Sequence, residues 1–124
     1  MRRSNLLISF KCAFAGLWYV LRTQRNAWIH LSVAVAVVMM GLWLGLSRTE
    51  WAILALTIGI VLAAEVLNTV VEAAVDLATA EYHPLAKVAK DVAAGAVLLT
   101  AVAAVVVGLL ILGPPLGRVI LAMF

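Results

Sequence analysis

Polar positions in this chain are confined to short stretches between long apolar blocks. From Trp51 to Ala64 no charged residue occurs, and the run closes on Glu65. At a helical rise of about 1.5 Å per residue that run crosses roughly 21 Å, which leaves Glu65 inside a hydrocarbon core about 30 Å thick. Two other blocks, Trp28 to Leu46 and Val92 to Leu112, are also about as long as a spanning helix needs to be. The chain therefore reads as an all-α integral membrane protein with transmembrane helices over 28–46, 51–75 and 92–112. Residues 4–24 have another pattern. Phe10, Phe14, Leu17, Trp18 and Leu21 recur at helical spacing, with Lys11 and Arg22 able to snorkel, which predicts an amphipathic helix on the membrane surface. Trp28 and Trp51 are placed as aromatic anchors at opposite interfaces.

Between these elements, Ser47-Arg-Thr-Glu50 predicts a tight outer turn and Thr79 to Pro84 an inner loop. His83-Pro84 breaks the chain, Leu85 begins a short helix leading into the third span, and Gly113-Pro-Pro115 ends that span. Gly41-Leu-Trp-Leu-Gly45 matches the small-xxx-small pattern of helix contacts, which also arises by chance in chains rich in Gly and Ala.

Composition supports this organisation. Of 124 residues, 66% are hydrophobic and 12% charged, which excludes an ordinary soluble domain and leaves one membrane domain over 1–124. Residues 1–25 carry basic residues and no apolar block of h-region length, so no cleavable signal peptide is expected. Cys12 is the single cysteine, so no disulfide framework is expected. Arg2, Arg3, Lys11, Arg22 and Arg25 precede the first span, and Lys87 and Lys90 lie between the second and third. The remaining connections hold only Arg48 and Arg118. The positive-inside bias then predicts a cytoplasmic N-terminus and 76–91 loop, with the C-terminus outside. Basic flanks on anionic lipid account for the net charge of +3 without a nucleic-acid partner.

The candidate chemistry starts at Glu65. Asn68, Glu72 and Asp76 follow it at helical spacing, so all four share one helix face and form a polar stripe running from membrane depth to the surface. Three spans make a thin bundle, and Glu65 and Asn68 are expected to face a neighbouring helix from another subunit. Asn68 alone reads as hydrogen-bonding glue between helices. Two acids on one face repel unless a cation or proton intervenes, and so point to chemistry. Lys87, Lys90 and Asp91 share a face of the next helix, and the short loop puts Lys90 in reach of Glu72 and Asp76. A lysine beside two carboxylates and a divalent ion can hold a phosphate. No P-loop or Gly-x-Gly-x-x-Gly is present, so any nucleotide must be held by side chains and carboxylate-bound metal. His30 reads as an interfacial residue and His83 as an exposed loop residue. Neither has a partner at zinc spacing.

The stretch Glu65-Val-Leu-Asn-Thr-Val-Val-Glu72-Ala-Ala-Val-Asp76, followed by Glu81-Tyr-His-Pro-Leu-Ala-Lys-Val-Ala-Lys90-Asp91, resembles the prokaryotic diacylglycerol kinases, small membrane lipid kinases whose Gram-positive branch phosphorylates undecaprenol. The strong likeness covers about residues 61–99. The Leu21-Arg-Thr-Gln-Arg-Asn26 and His-Pro-Leu-Ala-Lys wording is closer to the undecaprenol branch. The resemblance implies a homotrimer in the bacterial cytoplasmic membrane, with ATP as donor and Mg2+ as cofactor. Active sites would lie at subunit interfaces near the cytoplasmic surface. It implies that Glu65 is the general base, with Asn68 a neighbouring site residue, and that Glu72 binds the metal. Glu81, His83, Lys90 and Asp91 would hold the nucleotide, with Lys90 on the γ-phosphate. Asp76, beside Lys90, joins the nucleotide site by spacing.

Three positions depart from the family pattern. Gln24 stands where a second metal-binding glutamate is usual, and a neutral amide there offers one oxygen and no charge. Ala15 replaces an arginine and Cys12 a residue that is often tyrosine. The leading expectation is an undecaprenol kinase. The alternatives are a diacylglycerol kinase making phosphatidic acid, a non-catalytic lipid- or nucleotide-binding member, and a small proton- or cation-coupled transporter using Glu65.

Overall fold

The computed structural model describes residues 5–124, which form four helices: α1 (Leu6–Thr23), α2 (Arg25–Leu44), α3 (Arg48–Ala78) and α4 (Pro84–Met123). Arg2, Arg3 and Ser4, the first residue of the expected 4–24 helix, lie outside the described residues. All four helices, α1 included, are long and apolar enough to cross a membrane. The large aliphatic side chains mostly point outward, as at Leu42, Leu56, Leu98, Leu99, Leu109 and Leu110. In water such a surface would aggregate. In lipid it needs no cover, because acyl chains are as apolar as leucine.

The starts of α1, α3 and α4 each have a local cause. The Asn5 side chain accepts from the Ile8 N–H at 3.0 Å and caps α1. Ser47 and Glu50 form a reciprocal capping box: Glu50 N–H donates to the Ser47 hydroxyl at 3.2 Å, and Ser47 N–H donates to the Glu50 carboxylate at 3.0 Å. The expected outer turn is thus shorter than its four residues, because Arg48 already belongs to α3. The two Ser47 hydrogen bonds hold the Glu50 carboxyl below the usual range, with a smaller contribution from Arg118 near the far end of α4. Pro84 occupies the first position of α4, where its missing N–H costs nothing, and His83 Nδ1 accepts from the Leu85 N–H at 3.1 Å.

Two expectations about α4 are corrected. No separate short helix precedes the third span, since α4 is one helix of 40 residues. Nor does Gly113-Pro-Pro115 end it, since Pro114 and Pro115 lie inside it. Proline fixes φ near a helical value, so a pair forfeits hydrogen bonds to the preceding turn without forcing the chain out of the helix. Ile111 and Leu112 are buried beside the pair, and their packing holds the helix through the gap. At about 60 Å, α4 is roughly twice as long as the hydrocarbon core is thick.

The packing centres on α3 and α4, which make the most extensive contact in the fold. α2 touches both, and α1 rests on α2 and α3. The Gly41…Gly45 pair lies at the α2–α3 corner. Gly45 takes a left-handed conformation (φ 72°) that ends α2, its N–H reaching the Gly41 carbonyl at 3.0 Å. Gly41 is buried under Trp51, and a Cβ there would stand 2.7 Å from Trp51 Cη2 and 2.9 Å from Leu46 Cδ1. Gly41→Ala is therefore expected to destabilise the fold by about 1–3 kcal/mol, read as a lower unfolding midpoint in detergent. Trimming Trp51 to Leu in the Gly41→Ala background should recover part of the loss. An unchanged midpoint in the single variant would contradict this packing.

Candidate active site

The polar stripe on α3 is graded in burial. Glu65 is 1% exposed and Asn68 8%, Glu72 is half-buried, and Asp76 is exposed. The helical period predicts the shared face, and the tertiary packing sets the gradient. Glu65 and Asn68 are already buried within one chain, where α2 and α4 close around α3. They do face neighbouring helices as expected, but those helices belong to the same chain and not to another subunit. The reason is the tight approach of α4 to α3 and the return of α2 beside them.

At the deep end, both Glu65 carboxylate oxygens and Asn68 Oδ1 lack a hydrogen-bond partner. Thr69, 5% exposed, donates its hydroxyl to the Glu65 backbone carbonyl at 3.0 Å and leaves the carboxylate free. The nearest ionisable group is His30 of α2, whose Nε2 lies 3.6 Å from Glu65 Oε2. His30 is therefore a bundle residue beside the candidate base, a pairing that its reading as an interfacial residue does not include. Helical periodicity relates residues of one helix only, so it could not pair positions 30 and 65. The available signal was an ionisable side chain within an apolar span, which marks function by default.

At the other end of the stripe, Lys90 Nζ donates to Asp76 Oδ1 at 2.7 Å across the loop joining α3 and α4. This hydrogen bond holds the Lys90 ammonium above the usual lysine range. Desolvation opposes it, and the charges of Asp76 and Glu72 reinforce it. Lys90, Asp76 and Glu72 thus form one electrostatic cluster. Lys87 pairs with Asp91 one turn along α4, so Asp91 is engaged away from Lys90. Glu81 and His83 are exposed in the connecting loop. The Glu81 backbone is tied to the Thr79 hydroxyl, and the His83 ring caps α4 through Nδ1, which leaves Nε2 outward. Gln24 sits at the junction of α1 and α2, its amide 3.5 Å from the Thr23 hydroxyl. Among the described residues no group of three or more His, Cys, Asp or Glu side chains converges as a metal cage. Magnesium escorting a nucleotide does not require one, because one or two carboxylates suffice beside the phosphates and water. Glu72 fits that role.

An apolar groove of about 500 Å³ runs between α2, α3 and α4, lined by Val33, Thr57, Val61, Ala104 and Gly108 among others, with His30 at one end. A deep carboxylate, a surface lysine–carboxylate cluster and an apolar channel thus lie along one bundle. Residues 11–112 match the model of the prokaryotic diacylglycerol kinases. The chain belongs to that family.

Three relatives resemble the chain over most of its length. It is 52% identical over 113 residues to a diacylglycerol kinase of Synechocystis, covering 90% of this chain and 65% of that protein, so it spans just under two thirds of that relative. It is 48% identical over 108 residues to the undecaprenol kinase of Bacillus subtilis, covering 87% and 88%. It is 32% identical over 122 residues to the diacylglycerol kinase of Escherichia coli K12, covering 92% and 99%.

An unpaired buried carboxylate is costly, and the amide of the same shape removes the charge. Glu65→Gln is expected to raise the unfolding free energy of the kinase by about 1–3 kcal/mol. A lower unfolding midpoint in micelles would instead show that the carboxylate holds the fold together.

Proposed function

We propose that this kinase transfers the γ-phosphate of ATP to undecaprenol, with Glu65 taking the proton from the lipid hydroxyl. The observation that carries the reading is the Glu65 carboxylate, 1% exposed and with neither oxygen hydrogen-bonded, close to the end of an apolar groove. A base at that depth meets a membrane-dissolved alcohol without lifting it into water. As the new O–P bond forms, the hydroxyl proton passes to Glu65, the bond from the γ-phosphorus to the bridging oxygen breaks, and ADP leaves. Lys90 faces the γ-phosphate and offsets its charge, and Asp76 holds that lysine in place until the nucleotide arrives. Glu81, the free Nε2 of His83 and Asp91 complete the nucleotide site, and Asn68 orients the hydroxyl beside the base. Magnesium, when bound through Glu72 and the Gln24 amide oxygen, supplies charge neutralisation at the phosphates.

Two sources support undecaprenol as the acceptor: the Arg-Thr-Gln-Arg-Asn sequence at 22–26 and the similarity to the Bacillus undecaprenol kinase over most of both chains. Diacylglycerol is the second reading, favoured by the higher identity to the Synechocystis diacylglycerol kinase. In this proposal α1 lies along the cytoplasmic surface, residues 79–83 face the cytoplasm, and the C-terminus lies outside. The working unit is a homotrimer. One chain alone leaves Glu81 exposed in the loop, where a neighbouring subunit could cover it.

Purified protein in mixed micelles, given labelled ATP and either undecaprenol or diacylglycerol, should phosphorylate undecaprenol faster. Glu65→Gln should lower turnover by about 10²–10⁴-fold. Full turnover in that variant would remove Glu65 as the base. The groove has a separate test at Gly108, where an added Cβ meets no atom within 4 Å. Gly108→Leu should fold, fill the channel and raise KM for the lipid about tenfold, with KM for ATP unchanged. An unaltered lipid KM would place the acceptor chain elsewhere.

A further inference from the structure

We infer that His30 is the positioning residue for the catalytic carboxylate, aiming and stabilising Glu65 from the neighbouring helix; this rests on Glu65 being the base. Three observations converge on it. His30 Nε2 stands 3.6 Å from Glu65 Oε2, close enough for a small rotation of either side chain to complete a hydrogen bond. Glu65 otherwise has no hydrogen-bond partner at either oxygen, and Asn68 Oδ1, an acceptor, is also unpaired. His30 also lines the end of the apolar groove, so the imidazole stands where the groove meets the base.

The chemistry needs such a group. A carboxylate in apolar surroundings, free to rotate, is a poor acceptor for a proton whose transfer depends on alignment within a few tenths of an ångström. An imidazole N–H directed at one oxygen fixes the side-chain rotamer and leaves the second oxygen for the lipid hydroxyl. Thr69 cannot do this, because its hydroxyl is spent on the Glu65 backbone carbonyl. Asn68 could contribute only through its amide N–H2, from the same helix. His30 comes from α2, so it also ties the base to a second helix, and its place is set by tertiary packing. It forms and breaks no covalent bond in the transfer.

The test is steady-state kinetics of the full chain in micelles for His30→Leu, His30→Gln, His30→Asn and Glu65→Gln, and for the His30→Leu/Glu65→Gln double variant. His30→Leu should lower kcat about 10- to 100-fold with KM for ATP unchanged. His30→Gln, whose amide N–H reaches nearly as far, should recover most of the loss. His30→Asn, one methylene shorter, should recover little. Adding His30→Leu to Glu65→Gln should cost nothing further, since the group it aims is already gone. Full turnover in His30→Leu, or an equal loss in the presence and absence of the Glu65 carboxylate, would overturn the inference. If His30→Leu does not fold, the Gln and Asn pair decides it, and equal rates for the two would overturn it. Loss of turnover in Glu65→Gln alongside an active His30→Leu would sink the role of His30 alone, whereas an active Glu65→Gln would sink the base assignment beneath it.

Discussion

A carboxylate enclosed among apolar helices with neither oxygen hydrogen-bonded is the constraint around which this bundle is built. Removing an ion from water costs several kcal/mol even after the protein relaxes around it. No hydrogen bond among the described residues returns that cost, since His30 lies just outside hydrogen-bond distance. The packing of α3 against α4, with α2 closing over them, must therefore be stable enough to carry the strain. Function explains why such a group persists. Buried polar groups without partners are rare in native structures and gather where chemistry is done.

The second organising feature is the division of labour along a single helix. α3 holds the proposed base among apolar helices and its charged cluster near the loop, and the burial of the stripe falls steadily from Glu65 to Asp76. A membrane-dissolved alcohol and a water-soluble nucleotide need a meeting place that is apolar at one end and hydrated at the other. A helix crossing the interface provides both within a few turns. The loop after α3 is short enough to bring Lys90 back onto Asp76, so the proposed nucleotide end is assembled by two helices that adjoin in sequence.

Much of this was legible before any coordinates. The apolar blocks predicted the long helices, because backbone hydrogen bonds in lipid can be satisfied only within a helix or a closed barrel. The spacing of Glu65, Asn68, Glu72 and Asp76 placed them on one face, and the shortness of the loop put Lys90 against Asp76. Proline and glycine were read less well. Pro114 and Pro115 sit inside α4 where a helix end was expected, because neighbouring packing outweighs a local preference. Gly41 and Gly45 take separate roles that the motif does not distinguish, one fitting beneath Trp51 of α3 and the other ending α2 with a left-handed φ.

The sequence by itself determined the class of the protein, the helices and the identity of the charged stripe, because each depends on composition or on a period within one segment. Only the tertiary structure decided what meets what across segments: that Glu65 is enclosed by its own chain, that His30 stands against it, and that an apolar groove ends beside them. Those facts depend on how far α2 is rotated and shifted against α3 and α4. A one-dimensional pattern contains the faces of helices but not their relative rotation, so the companion of the buried carboxylate becomes visible only once the helices are packed.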